Sequence, residues 1–390
     1  MPRLVSRKEC VDTISVQAIL CGGFIVRPSQ GRAAFVLMST LLILSACEDN
    51  PVQPSHATAI RVGPALSLGS SSLYTAIDLG AGPFSQATAI NLRGQIVGWG
   101  LNTHHAFLWQ KGVIKDLGTL RSGYWSEAYG INVEGHVVGQ SFVSEDANWH
   151  AVMWRNGSVI DLGFPGETEA RGINFKDQVV GTILQPPPFI AFLWARGQVT
   201  YLPCLADPCW GFGVERAAGI NGAGQVVGPS LVGPPNPNGA PVHAWLWQAG
   251  VIIDLGTLGG RNSFASAING AGWVVGWSQT AAGDSHAFLW HDGLMTDLGP
   301  GAALGISPVG HVVGEADPTG SGVEHAVVWK RNGTIVDLGP GKAYGMNLLG
   351  QVVGIANVGS ESHATLWTRP KCGGASGDES ETTLAPDPCS

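Results

Sequence analysis

Charged residues are scarce in this 390-residue chain: Asp, Glu, Lys and Arg make up 13% of it, against 44% hydrophobic residues. That balance excludes a disordered chain, which needs few apolar residues and much charge. Bases are scarcer than acids, 21 Lys and Arg against 29 Asp and Glu, for a formal charge of −8. A general nucleic-acid binder needs a basic face to displace phosphate counterions, so no nucleic-acid partner is expected. The longest uncharged apolar run falls short of the about 20 residues that a membrane-crossing helix requires. A helical period is missing throughout residues 74–368, and the 56 glycines show no three-residue period, which excludes collagen. Signatures of chemistry are missing too. There is no Gly-x-Ser-x-Gly elbow, phosphate loop, zinc helix or calcium loop, and neither a metal nor a cofactor is expected.

That apolar run, residues 33–46, reads AAFVLMSTLLILSA behind Arg27 and Arg32. Its length suits the apolar core of a secretory signal. It ends in Leu44-Ser45-Ala46-Cys47, followed by Glu48, Asp49 and Asn50. The tetrad resembles the lipobox of bacterial lipoproteins. The resemblance implies cleavage before Cys47, lipid on its thiol and new amino group, and a lipid-anchored place in the cell envelope outside the cytoplasm. Residues 1–46 are therefore read as a lipoprotein signal peptide and 47–72, with Pro51, Pro54 and Ser70–Ser72, as a tether. Residues 1–46 hold five bases and two acids, leaving 16 bases and 27 acids in the remainder. An acidic body avoids anionic surfaces, so contact with the membrane is expected through the lipid alone.

Four cysteines remain after the signal and Cys47. Cys204 with Cys209, and Cys372 with Cys389, are expected as local disulfides, because an even count fits an oxidising compartment. A metal site is the rival, but Cys-x4-Cys is a poor zinc spacing and no histidine is near in sequence.

Three motifs recur. Ile-Asn…Gly…Val-Val-Gly, or a close variant, begins at Ile90, Ile131, Ile173, Ile220, Ile268, Ile306 and Met346, with spacings of 41, 42, 47, 48, 38 and 40 residues. His-Ala-Phe-Leu-Trp, with variation, begins at His105, His150, His243, His286, His325 and His363, and Ile190 heads a seventh copy. Asp-Leu-Gly is led by Asp78, Asp116, Asp161, Asp254, Asp297 and Asp337, with Tyr201-Leu202-Pro203 as a degraded copy. Each period divides into four short strands. Asn and Gly in the turn between strands 1 and 2 are read as residues that tolerate positive φ. Asn156-Gly157, Asp292-Gly293 and Asn332-Gly333 between strands 3 and 4 are read as type I′ hairpins.

Four antiparallel strands per repeat predict an all-β chain, a seven-bladed β-propeller over residues 73–368. The array opens on a lone Asp78-Leu79-Gly80 and ends on His363–Trp367 with no strand after it. Residues 73–80 are therefore expected to supply the fourth strand of the last blade and close the ring, which removes exposed sheet edges. A β-solenoid is the alternative. Residues 369–390 read as a polar acidic tail. A monomer is expected.

Tandem His-Ala-Phe-Leu-Trp with Asp254–Gly260 (Asp-Leu-Gly-Thr-Leu-Gly-Gly) and Ala-Ile-Asn…Gly…Val-Val-Gly resembles the HAF family of bacterial extracellular repeats. The resemblance covers most of residues 74–368. It implies export and a repeat fold, and brings no general activity with it. The third repeat departs from the pattern, lacking both His and Asp.

The six motif histidines and their aspartates are read as structural. Hairpin pairing sets each Asp opposite the Phe position and diagonal to its His, where the two can hydrogen-bond and fix register. The closing Trp of each copy is read as packing between blades. The connections between strands 2 and 3 and between repeats share one side and hold every long insertion, including 185–188, 203–215 and 233–241. That side is the expected working face. Tyr124, Trp125, Trp149, Trp210 and Phe212 are its candidate ligand contacts, as flat aromatics that stack on sugars or anchor a protein. The expected function is a recognition module for glycan or extracellular protein. The alternatives are a structural envelope protein without a specific ligand, and a polysaccharide hydrolase or lyase. The last needs two carboxylates across a cleft, and Glu127, Glu145, Asp146, Glu167, Glu169, Asp207, Glu215 and Asp284 on that side fall in no motif.

Overall fold

The computed structural model describes residues 59–61, 67–71 and 73–369, apart from 102, 122, 186–188, 207–214 and 235–238. The expected signal segment, Cys47 and the tail from residue 370 onward lie outside the described residues. Every regular element among the described residues is a β-strand. Repeats one to six each contribute four antiparallel strands in chain order. In the second repeat these are Ser126–Ile131, Val137–Val143, Asn148–Arg155 and Ser158–Asp161. First strands lie innermost: Ile90, Ile131, Ile220, Ile268, Ile306 and Met346 line one central cavity of about 290 Å³, joined by Asn174 of the third repeat. The architecture is of the β-propeller type.

Six hydrogen-bonded sheets are present among the described residues where seven separate ones are expected. Ile335–Met346 accounts for the difference. It first pairs with His325–Trp329 as the outer strand of repeat six, then with Val352–Val358 as the inner strand of repeat seven. The two sheets are thereby joined into one of eight strands. Gly341, at φ 144°, sits where a Cβ would lie 2.1 Å from the Ile355 carbonyl oxygen, so only glycine lets the strand continue there.

The outer strand of the last repeat comes from the other end of the array. Tyr74–Pro83 pairs antiparallel with Glu361–Thr368, with Asp78 opposite Thr365 and Ala76 opposite Trp367. The segment 47–72 differs from a plain tether: Ala59–Arg61 pairs with Val113–Asp116, and Ser67–Ser71 pairs with Tyr74–Pro83. Each adds a strand beyond the fourth.

The Ile-Asn turn works differently from the sequence expectation. Asn91 is not in the left-handed region; Gly94, at φ 70°, is. The asparagine is a hydrogen-bonding hub. Its Oδ1 accepts the N–H groups of Arg93 and Gln95, both at 3.0 Å, and its Nδ2 donates to the Asn132 carbonyl of the next repeat at 3.0 Å. Asn132, Asn174, Asn221 and Asn269 donate likewise to the carbonyls of Asn174, Asn221, Asn269 and Ser307, and Asn347 donates to Asn91. Between strands 3 and 4, Asn156-Gly157 and Asp292-Gly293 have the double positive φ of a type I′ turn, as do Lys111-Gly112, Arg196-Gly197 and Ala249-Gly250. At Asn332-Gly333 only the glycine has positive φ, and Gly333 N–H closes instead on Lys330 O in a longer loop.

The glycine of Val-Val-Gly is dictated by close approach. A Cβ on Gly139 would stand 1.9 Å from the Glu127 carbonyl, because the first strand bulges between Ala128 and Gly130. Among the described residues seven buried apolar clusters hold the repeats, each drawn from two neighbours. Trp154 packs against Val97, Ala106 and Leu117 of the preceding repeat and donates its Nε1–H to Gly118 O at 3.2 Å. Trp367 packs with Val313 and Val328 of the preceding repeat. Leu79, Val353 and Leu366 of the last repeat pack with Ala87, Ile96 and Phe107 of the first.

Candidate functional site

All six motif histidines meet their aspartates. The Nδ1–carboxylate distances are 2.9 Å for His105–Asp116, 3.0 Å for His150–Asp161, 2.9 Å for His243–Asp254, 2.9 Å for His286–Asp297, 2.9 Å for His325–Asp337 and 2.8 Å for His363–Asp78. Each Asp also accepts the N–H of the glycine two residues on, as Asp116 does from Gly118 at 2.7 Å. Asp-Leu-Gly is thus a side-chain-capped turn that ends a strand. The Asp116 hydrogen bond raises His105 above the ordinary imidazole value against the opposing effect of burial. Burial acts against ionisation of Asp254, but the His243 hydrogen bond, the Gly256 N–H and the His243 charge together outweigh it and lower the carboxyl. Among the described residues no group of three or more His, Cys, Asp or Glu is arranged to hold a metal ion.

Of the five aromatics singled out from the sequence, three gather on the second repeat. Trp125 and Trp149 stack with centroids 6.4 Å apart and planes at 21°, and Phe142 packs against both, at 5.3 and 5.7 Å. Tyr124 beside them is 65% exposed, and Trp125 is 45% exposed. The register explains the shelf: Trp149 is opposite Phe142, and Phe142 N–H donates to Trp125 O at 2.9 Å. Trp210, Phe212 and Cys209 lie outside the described residues, as do Cys372 and Cys389. Cys204 lines a cavity of about 240 Å³ between repeats three and four with Tyr201, Trp245 and Glu215. Glu215 is buried, and neither carboxylate oxygen has a hydrogen-bond partner among the described residues.

Next to the aromatic shelf, the first strands bring together residues that the sequence motifs pass over. The position before the strand-1 alanine faces the position after the Val-Val-Gly glycine. Around the repeats these pairs are Gln86–Trp99, Glu127–Gln140, Glu169–Thr182, Phe264–Trp277, Ala302–Glu315 and Lys342–Ile355. In the fourth repeat Arg216 lies beside Pro229, its backbone N–H on the Pro229 carbonyl at 3.3 Å. Strand 1 runs from the inter-repeat loop to the Asn turn, so these pairs sit at the loop-bearing end of the central cavity. The flanking Ala, Gly and Val residues repeat; this ring does not.

The ring's chemistry is dense. Glu127 Oε1 lies 2.6 Å from His104 Nε2, while Oε2 accepts from Gln140 at 3.0 Å and from the Tyr129 hydroxyl. His104 itself stacks on Trp99 at 4.6 Å. Arg171 pairs with Glu169 at 2.6 Å and lies over the Tyr129 ring, 4.4 Å from its centroid. Burial pushes the Tyr129 phenol up, beyond what the Arg171 charge offsets. Burial disfavours charged Arg171, but the Glu169 carboxylate, with Tyr129 and Glu127, more than compensates and raises it. Lys342 lies 2.5 Å from Glu315, and burial with that carboxylate nearby pushes Tyr344 up to about 12. A cavity of about 520 Å³ opens here, lined by Glu169, Arg171, Arg216, Phe264, Ser266 and Trp277 among others. Glu127 and Glu169 had been visible only as acids without a motif. Arg171, Arg216 and Tyr129 carried no signal except that they vary between otherwise similar repeats.

No family model matches the chain, and no curated protein matches it significantly. Among solved structures it is similar to the extracellular domain of a putative one-component system from B. thetaiotaomicron, at 9% identity and TM-score 0.48 over 75% of this chain and 39% of that one. It is similar to YCF48 bound to D1 peptide, at 12% identity and TM-score 0.46 over 80% of this chain and 99% of that one. It is also similar to a gluconolactonase from Xanthomonas campestris, at 10% identity and TM-score 0.40 over 82% of this chain and 100% of that one.

Proposed function

We propose that this chain is an exported, lipid-anchored seven-bladed β-propeller that recognises a glycan, or an extracellular protein as second choice, through its loop-bearing face. The observation that carries the proposal is the ring of non-repeating residues at that end of the central cavity. A scaffold position recurs in every repeat because every blade has the same packing problem. A set of positions that differs in every repeat and converges on one mouth is what a binding site on a rigid ring requires. The Trp125–Phe142–Trp149 shelf, exposed at Trp125 and half-buried at the other two, adjoins it, and stacked aromatics give large contact area at low entropic cost.

Closure of seven blades is part of the proposal. It is supported by the pairing of Tyr74–Pro83 with Glu361–Thr368, by the Asn347–Asn91 bond and by the apolar cluster between last and first repeats. Kinship with HAF repeats, export, lipid on Cys47 and the Cys204–Cys209 and Cys372–Cys389 bridges complete it. The test is a glycan array and an envelope pull-down with wild type and a Trp125→Ala/Trp149→Ala variant. Binding is expected to be lost with the melting temperature held. Loss of folding in parallel with binding would make the shelf a packing feature and remove it from the site.

A further inference from the structure

The cavity of about 520 Å³ spans repeats three to six at the ring mouth. Its size is that of ordinary small-ligand sites, about 300–1,000 Å³. Its charged lining is Glu169, Arg171 and Arg216. Arg171 Nη2 donates to Glu169 Oε2 at 2.6 Å, which pairs the two charges. Arg216 is exposed in the cavity and has no counter-ion among the described residues. The cavity is therefore cationic by one charge, inside a chain whose formal charge is −8. On the same wall Phe264 and Trp277 stack at 4.6 Å with planes 13° apart, both half-buried, which makes a flat apolar platform. Glu169 is 4% exposed, and its Oε1 has no hydrogen-bond partner among the described residues. A buried carboxylate oxygen left without a donor costs free energy that an incoming hydroxyl can recover.

We infer that this cavity takes an acidic saccharide, a pyranose bearing a carboxylate, with the carboxylate on Arg216 and the sugar face on the Phe264–Trp277 pair. The three features ask for different parts of one ligand. A planar guanidinium pairs with a carboxylate through two parallel N–H donors. The aromatic platform takes the C–H face of a sugar ring, and Glu169 takes a hydroxyl donor after a small rotation about its own side-chain bonds. A neutral sugar leaves Arg216 unanswered, and a simple anion leaves the platform bare. The inference rests on the recognition function proposed above and assigns the ligand class of that site.

The test is an array of neutral, amino- and uronate-bearing saccharides, probed with the full chain in detergent and with Arg216→Gln. Uronate-bearing saccharides are expected to bind at least about tenfold tighter than their neutral counterparts, the usual worth of a charge-assisted hydrogen bond. Arg216→Gln is expected to erase that preference while leaving the melting temperature unchanged, and added salt to weaken only the acidic ligands. Neutral saccharides binding as well as acidic ones, or a preference that survives Arg216→Gln, would overturn the ligand class and leave the recognition function standing. Capture of peptides ending in a free carboxylate, with no saccharide bound, would also overturn it. An array and pull-down without any binder would take down both.

Discussion

The two mouths of the central cavity follow opposite rules. At the turn-bearing mouth, the same asparagine holds the same turn in six of the seven repeats and reaches the same carbonyl of a neighbour. At the loop-bearing mouth, the seven cross-strand pairs differ in charge, size and aromaticity. One end is built for identity between repeats and the other for difference. The comparison teaches that repetition marks the scaffold, and that a break in repetition at a converging position is the signal on which the proposed recognition site rests.

The comparison can be tested from the scaffold side, where effects are largest. Deleting Tyr74–Pro83 removes the outer strand of the last repeat and uncovers the pocket around Trp367, which is 1% exposed. The expected result is loss of the cooperative urea transition, followed by tryptophan fluorescence; an unmoved midpoint would mean that this strand does not complete the ring. Asn91→Ala breaks the turn and the link to Asn132, for about 1–3 kcal/mol by chemical denaturation. The reverse change sharpens the point. Ser307 stands where the other repeats carry Asn, and Ser307→Asn is expected to add about 0.5–1.5 kcal/mol by reaching the Asn347 carbonyl. Substitutions in the loop-bearing ring, such as Arg216→Gln, are expected to leave the midpoint where it is.

A smaller effect is set by pH. His105 has a raised folded value, so its pair with Asp116 contributes fully below the ordinary 6.5 and is lost as pH rises through the raised value. Asp254 is lowered, so its contribution is present above 3.8 and is lost as pH falls through the lowered value. The urea midpoint of wild type relative to His105→Gln should therefore be higher at pH 6 than at pH 9. A gap that is constant with pH would reduce the pair to packing.

Much of the scaffold was legible in the sequence because it repeats. Asp opposite the Phe position and Asp78 near Trp367 followed from hairpin pairing and from the divided last unit. The asparagine was read for its backbone tolerance, while it acts through its amide; a link between units 41 residues apart leaves no local trace. The fusion of repeats six and seven depended on Gly339-Pro340-Gly341 continuing as strand where turn residues suggest a loop. Arg216, Glu169 and Tyr129 were hidden for the reason that makes them interesting: aligning repeats discards whatever varies.

The central claim is that the two ends of the repeat array meet in one sheet. Thr75 and Thr368 are register partners across the closing strand pair, and Thr75 is exposed. Cysteines at both positions would have the Cα separation a disulfide needs. The account predicts that Thr75→Cys/Thr368→Cys forms an intramolecular bridge under mild oxidation, mapped by mass spectrometry, and raises the urea midpoint. Two thiols that stay reduced in the folded protein would contradict it.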